Sequence, residues 1–401
     1  MEQGRGRNSG LFAGRRAGGL WYSRPACQQN VCNCISRGEP TVNVAAKSIR
    51  EQIVSILGAW KMLPHLIDVT ADVMVDTDLA GIDSHGISML ILYEEKLRQG
   101  KLKLQADPKV IRENAVTALI DAGAGLGHPA AVMATRMAIE KAGANGIAAV
   151  SVTNSHHFGA AGYYAKMAAR QGFISLVTSN ARTIAVLPTR ASKKVFGTNP
   201  IAFAAPARRN PPFLLDMATS TVAANKVRLY EFKGKPLPDG WVLDEHGHAV
   251  RDAVAARPYI WEGDQGGLTP IGGTPEMSSH KGYGLAMLAQ LLGSTLGGGS
   301  FPPLAVQRGT AGGADNLGHF VLALDPKAFR QEGAFESDLD DMIDYLHGVS
   351  PIDPAEPVLV AGDPELQARE RRLKEGVPIT PALADKIRGI CERCGVPFLL
   401  G

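Results

Sequence analysis

The run Thr153-Asn154-Ser155-His156-His157-Phe158-Gly159-Ala160-Ala161-Gly162-Tyr163-Tyr164-Ala165 sets histidine where a strand should hand over to a helix. Ile147 to Val152 is apolar and partly β-branched, and Gly159 to Arg170 reads as a helix. His157 is therefore expected at or just before a helix N-terminus, where unpaired amides and the positive dipole end disfavour imidazolium. A neutral ring that exchanges a proton near pH 7 is what an alcohol-carbonyl interconversion needs. The plainer alternative is a pair of loop histidines bonded to nearby carbonyls.

Further polar clusters stand in similar settings. Asp83-Ser84-His85-Gly86 follows a helix-like segment from Pro64 to Leu79. Ser84 and His85 could form a hydroxyl-imidazole pair, or the four residues could be a turn that only ends the helix. Gly197-Thr198-Asn199-Pro200 forces a turn whose amides and Asn199 side chain can hold a polar ligand, ahead of a buried apolar strand from Ile201. Phe213-Leu214-Leu215 leads into Asp216-Met217-Ala218. An aspartate that ends a strand and opens a helix lies where open α/β sheets bind ligands, with a helix N-cap as its equal alternative. Lys281, in Ser278-Ser279-His280-Lys281-Gly282-Tyr283-Gly284, precedes a helical run from Leu285 to Leu296 and so sits at the end where a cation is unfavourable. That conflict points to a site for a phosphate or a carboxylate.

The elements that must position these groups alternate. Thr117 to Asp121 reads as a strand, Pro129 to Ala144 as a helix, Ile147 to Val152 as a strand, Gly159 to Arg170 as a helix and Phe173 to Thr178 as a strand. This βαβαβ pattern predicts an α/β fold. The usual dinucleotide fingerprint is absent, because Gly123-Ala124-Gly125-Leu126-Gly127-His128 puts histidine where the third glycine belongs.

The clusters together resemble the type 2 malate/L-lactate dehydrogenase family, which also contains ureidoglycolate and sulfolactate dehydrogenases, diketogulonate reductase and a cyclic imino acid reductase. The matching motifs are Ser-His-Gly at 84 to 86, His-x-Gly-Ala at 157 to 160, Gly-Thr-Asn-Pro at 197 to 200, Asp-Met-Ala at 216 to 218, Lys-Gly-Tyr-Gly at 281 to 284, and Ala361-Gly362-Asp363-Pro364-Glu365. They keep the family order and span Val42 to the C-terminus.

The resemblance implies the family's own α/β fold, a mixed sheet with flanking helices that is not the ordinary Rossmann fold. It also implies a homodimer that binds NAD or NADP and moves hydride to or from C2 of a small 2-hydroxy or 2-oxo acid. By the same resemblance His85 or His157 carries the proton and Ser84 orients the substrate oxygen. Asp216, Met217, Ala218, Lys281, Gly362, Asp363 and Pro364 contact the cofactor, with Asn199 as a further candidate. No metal is called for. Many relatives carry an arginine three residues after Ser-His-Gly, suited to gripping a carboxylate. Here that residue is Met89, so Lys96, Arg98 or Arg182 could supply the grip, or the ligand is less anionic there. Arg182 or Arg190 could instead meet a 2′-phosphate. Residues 41–120 with 320–401 are expected to form a helical substrate and dimerisation domain around a nucleotide-binding insertion, 121–319. A reductase of cyclic imino acids and a non-catalytic nucleotide-binding homologue are the alternatives.

Composition agrees with a large globular chain: 401 residues, 45% hydrophobic and 20% charged. The longest apolar run, Tyr283 to Leu296, is broken by Gly284, Gln290 and Gly293, so no membrane span is expected. The net charge of +3 is uneven. Residues 1–40 hold six arginines against two glutamates, and the remainder 36 basic against 37 acidic residues, a balance with no nucleic-acid footprint. Those forty residues are rich in Gly, Arg, Ser and Asn, which suggests a disordered extension or a start placed too far upstream; an arginine-rich tail acting on nucleic acid is the remaining alternative. They lack the apolar core of a secretory signal. Five cysteines (27, 32, 34, 391 and 394) with a single Cys-x-x-Cys are read as reduced thiols, fitting a cytoplasmic protein.

Overall fold

A computed structural model describes residues 41–308 and 315–401. The expected basic extension, 1–40, with Cys27, Cys32 and Cys34, lies outside the described residues. The described chain opens with β1 (Val42–Val44), α1 (Ala46–Ala59), α2 (Pro64–Leu79) and α3 (Leu90–Arg98). In α1, Ile49, Ile53, Ile56 and Leu57 recur at helical spacing and are fully buried. Pro64 opens α2 at a position whose N–H has no helical partner in any case.

The central element is a seven-stranded sheet. Its strands are β2 (Lys109–Glu113), β3 (Thr117–Asp121), β4 (Ile147–Ser155), β5 (Ile174–Ser179), β6 (Ile201–Ala205) and β7 (Phe213–Met217), with α4 (Gly127–Asn145) between β3 and β4 and α5 (Ala161–Ala169) between β4 and β5. After α6 (Ala224–Phe232), the short strands β8 (Val242–Leu243) and β9 (Gly267–Leu268) pair around α7 (Arg257–Trp261). Then come α8 (Ser279–Gly293), α9 (Pro302–Gln307) and β10 (Leu317–Leu324). The sheet order is β2-β3-β4-β10-β5-β6-β7. Only β3 and β4 pair in parallel; every other neighbour is antiparallel.

The expected βαβαβ unit is therefore present with a late strand wedged into it. Leu317 to Val321 of β10 are buried without a break, as a strand covered on both faces must be. The strand directions put the C-terminal ends of β4, β5 and β7 on one edge of the sheet. This is a mixed α/β sheet and not a Rossmann sheet. Ala130, Ala131, Ala134, Ala138 and Ala142 are fully buried, so small side chains let α4 lie close over β4 and β10.

The chain ends with α10 (Ala334–His347), α11 (Asp363–Glu375), β11 (Val377–Ile379) and α12 (Pro381–Cys394). β11 pairs antiparallel with β1, α12 packs on α1 and α3, and α11 packs on α2. Both ends of residues 41–401 thus join one helical core, which includes Ile53, Leu90, Val377 and Ile387. Cys391 and Cys394 are free thiols on α12; burial pushes both thiol pKa values up, and the Trp60 Nε1–H donates to Cys394 Sγ at 2.9 Å.

Candidate active site

β4 delivers two adjacent histidines to two different environments. His156 is buried, with Nδ1 3.1 Å from Asp315 Oδ2 and Nε2 2.6 Å from the Lys101 carbonyl. Its Asp315 partner also takes Arg182, at 3.4 Å, and Lys96, at 3.8 Å. His156 thus belongs to a charge network, close to the plainer reading of a bonded histidine. His157 faces α2 and α3 instead. Its Nδ1 lies 2.8 Å from the Tyr93 hydroxyl and accepts the Gly159 N–H at 3.3 Å.

His85 meets His157 from the turn after α2, with ring centroids 5.2 Å apart. Ser84 Oγ lies 2.7 Å from His85 Nδ1, so the hydroxyl-imidazole pair forms. The turn itself is held from beneath. The Ile87 N–H donates to Asp78 Oδ2 at 2.8 Å, and a Cβ on Gly86 would stand 1.8 Å from Asp78 Oδ1, so only glycine fits over this carboxyl group. From α11, the buried Arg372 donates to both Asp83 carboxylate oxygens and to the Asp78 carbonyl.

Burial lowers the pKa of His85, and burial followed by the nearby His85, His128 and His319 lowers that of His157. Both shifts favour the neutral ring; for His157 the sequence leads to the same expectation by a different cause. α5 begins only at Ala161, four residues beyond His157, so the helix dipole is not the main cause. Neighbouring rings complete the row. His128, fully buried with a pKa near 3, has Nε2 3.5 Å from the Tyr93 hydroxyl. His319 bonds Ser155 and Ser179 and stacks on Phe158 at 4.3 Å.

The glycine-rich run 123–127 packs against this segment. The Gly127 N–H donates to the His157 carbonyl at 3.0 Å, and a Cβ there would lie 2.5 Å from the His156 carbonyl oxygen. His128, noted in the sequence only as a break in a glycine pattern, is part of the histidine row.

Asp216 lies in β7 and does not open a helix, because α6 starts at Ala224. Its Oδ2 accepts the Gly162 N–H at 2.7 Å, so it caps α5, which starts at the same edge of the sheet. Burial pushes its pKa up to about 6. Asp216 and Gly362 line a cavity of about 90 Å³ together with Gly162, Lys166, Glu365 and Arg369. Asp76 pairs with Lys166 at 2.5 Å and with Arg369 at 2.6 Å. The cavity wall thus carries the carboxylates Asp76, Asp216 and Glu365 and the cations Lys166, Arg170 and Arg369.

The remaining candidate residues divide. Met217 and Ala218 are half-buried beside Asp216 and do not line that cavity. Asp363 turns away, accepting the Val360 N–H and meeting His347 Nε2, both at 2.7 Å, and Pro364 follows it in the first turn of α11. Asn199 is fully buried, accepting the Ala181 N–H and donating to the Ala286 carbonyl, so its side chain braces backbone and does not face a ligand. Lys281 is exposed within the first turn of α8, which begins at Ser279, ahead of the expected Leu285. Met89 is half-buried and packs on the helical core, whereas Tyr93, four residues on, reaches the site. Among the described residues no cluster of His, Cys, Asp and Glu could hold a metal ion.

Comparison with known proteins finds relatives along most of the chain. Residues 44–388 match the family model described as malate/L-lactate dehydrogenase. A malate dehydrogenase of Pyrococcus abyssi is 36% identical over 332 residues, covering 82% of this chain and 89% of the relative. The crystal structure of malate dehydrogenase from Entamoeba histolytica superposes with a TM-score of 0.84 at 29% identity, over 89% of this chain and 99% of that one. The delta1-piperideine-2-carboxylate reductase of Pseudomonas syringae pvar. tomato superposes with a TM-score of 0.74 at 28% identity, over 87% and 100%. The chain belongs to the malate/L-lactate dehydrogenase family and is an oxidoreductase acting on CH–OH groups.

Proposed function

We propose that the protein moves hydride between NAD or NADP and C2 of a small 2-hydroxy acid or its 2-oxo counterpart. The observation that carries this reading is the pair of neutral histidine rings 5.2 Å apart, one held by Ser84 and the other by Tyr93. When bound, the nicotinamide supplies or takes the hydride. His85 or His157 handles the accompanying proton, and Ser84 orients the substrate oxygen. Asp216 and Gly362 hold part of the dinucleotide, with Met217, Ala218, Asp363 and Pro364 on neighbouring segments, and Lys281, exposed at the start of α8, is a further cofactor contact. The region 121–319 carries the cofactor, and the helical segments 41–120 and 320–401 serve the substrate and a homodimer contact. Among the described residues no helix is long and apolar enough to cross a membrane; the free thiols Cys391 and Cys394 suit a reducing compartment, the cytoplasm.

The test is a panel of 2-oxo acids with NADH and with NADPH, followed at the nicotinamide absorbance band. Turnover of at least one pair is expected, and His85→Ala and His157→Ala should each slow it, by about 10² to 10⁴ for the group that transfers the proton. Lys281→Ala should weaken dinucleotide binding without unfolding the chain. Absence of both turnover and dinucleotide binding across the whole panel overturns the reading. A second reading, reduction of cyclic imino acids, draws on the likeness to the piperideine-carboxylate reductase. Faster turnover of an imino substrate than of its keto analogue would select it.

A further inference from the structure

The two histidines at the site differ in what bonds their inner nitrogens. His85 Nδ1 meets the Ser84 hydroxyl, which can donate or accept, so His85 is free to take either neutral tautomer or to gain a proton. His157 Nδ1 meets a backbone N–H, from Gly159 at 3.3 Å, and an amide can only donate. Nδ1 must then be the bare, accepting nitrogen, and the proton of the neutral ring lies on Nε2. Tyr93, 2.8 Å from the same Nδ1, must donate its O–H there as well.

We infer that His157 is locked as the Nε2–H tautomer and acts as a fixed hydrogen-bond donor to the substrate oxygen, leaving the proton transfer to His85. This deepens the oxidoreductase reading and rests on it for its chemical consequence. In the oxidative direction neutral His85 takes the proton of the substrate hydroxyl, the C2–H electron pair would leave as hydride to a bound oxidised nicotinamide, which would thereby be reduced, and the oxygen pair becomes the carbonyl π bond. The His157 Nε2–H stays on its ring and stabilises the developing negative charge on oxygen. His157 cannot take the proton itself, because its Nε2 already carries one and its Nδ1 lone pair is engaged by Gly159 and Tyr93. Tyr93 and the Gly159 amide are positioning groups in this scheme, because they act through the ring.

The tautomer can be read without any turnover. In the full-length protein labelled with ¹⁵N-histidine, two-bond proton–nitrogen correlations should show His157 with a protonated Nε2 and a bare Nδ1 from pH 6 to 9, the signals being assigned by their loss in His157→Gln. A protonated Nδ1 or an imidazolium at neutral pH overturns the inference even if the enzyme works as proposed. Absence of turnover on every substrate sinks the functional reading while the spectrum still decides the tautomer. With an active substrate, His157→Gln, which keeps an N–H donor but cannot exchange a proton, should retain kcat within about tenfold. His157→Ala should lose about 10² to 10³, the usual cost of a missing oxyanion donor. A folded glutamine variant as slow as the alanine variant rejects the donor role.

Discussion

Asp78 is a carboxylic acid held where a carboxylate is costly. Burial pushes its pKa up to about 8, against an ordinary value near 3.8, and the Ile87 N–H only partly offsets this. The folded chain therefore keeps the proton through a range in which the unfolded chain releases it. The associated stability is fully present below about pH 4 and is lost as pH rises towards 8, on the order of a few kcal/mol in total. Asp78→Asn keeps an acceptor for Ile87 and removes the titration. It should match the wild type in urea denaturation near pH 4 and be the more stable of the two at pH 8 to 9. Parallel stability curves for the two proteins would show that Asp78 is ionised in the fold. The carboxylate could have drawn notice in the sequence, since Asp78 follows Met74 at helical spacing on the apolar face of α2.

At the scale of elements, α11 reaches across the fold to hold the turn that carries Ser84 and His85. Arg372 of α11 is buried and forks onto Asp83 while bonding the Asp78 carbonyl. Charge-assisted hydrogen bonds contribute about 1.5 to 3 kcal/mol each, and less where the carboxylate, as Asp83 here, is exposed to water. Arg372→Met should lower the melting temperature and, well below that temperature, reduce turnover by displacing His85. Arg372→Lys should recover more stability than activity, because an ammonium cannot reproduce the two-pronged grip. Unchanged turnover in a folded Arg372→Met protein would mean that the turn holds its shape without α11. Gly86→Ala acts from the other side of the same turn. Its Cβ would collide with Asp78 Oδ1, so the variant should be both less stable and less active than wild type in the same two assays.

For the whole molecule, the strand pair β1-β11 ties the start of the described chain to its end. The family match begins at residue 44, and residues 1–40 are poor in apolar periodicity. Removing residues 1–40 should leave melting temperature and turnover unchanged. Removing 1–44 also takes away β1 and the buried Val44, and should lower the melting temperature by about 1 to 3 °C, as expected for about 1 to 2 kcal/mol in a chain of this size. Calorimetry on the two truncations checks both statements. A large fall with the shorter truncation would show that the first forty residues support the fold.

Local physics alone made several features legible. Apolar periodicity and proline set the bounds of α2, and a β-branched run between turns set those of β3. Ser84 and His85 could be paired because neighbouring residues in a tight turn have little choice of partner. What lay beyond the sequence is non-local in each case. The place of β10 between β4 and β5 depends on partners 140 to 177 residues away, which no window of sequence reports. Asp216 could be placed at a strand end, yet the helix it caps belongs to a different part of the chain. Arg372 sits in a highly charged helix and reads as a solvent-facing residue until Asp83 is brought against it. The sequence determined which residues could exchange a proton. The tertiary structure decided how the two histidines differ, because a nitrogen facing an amide must accept whereas one facing a hydroxyl keeps its choice.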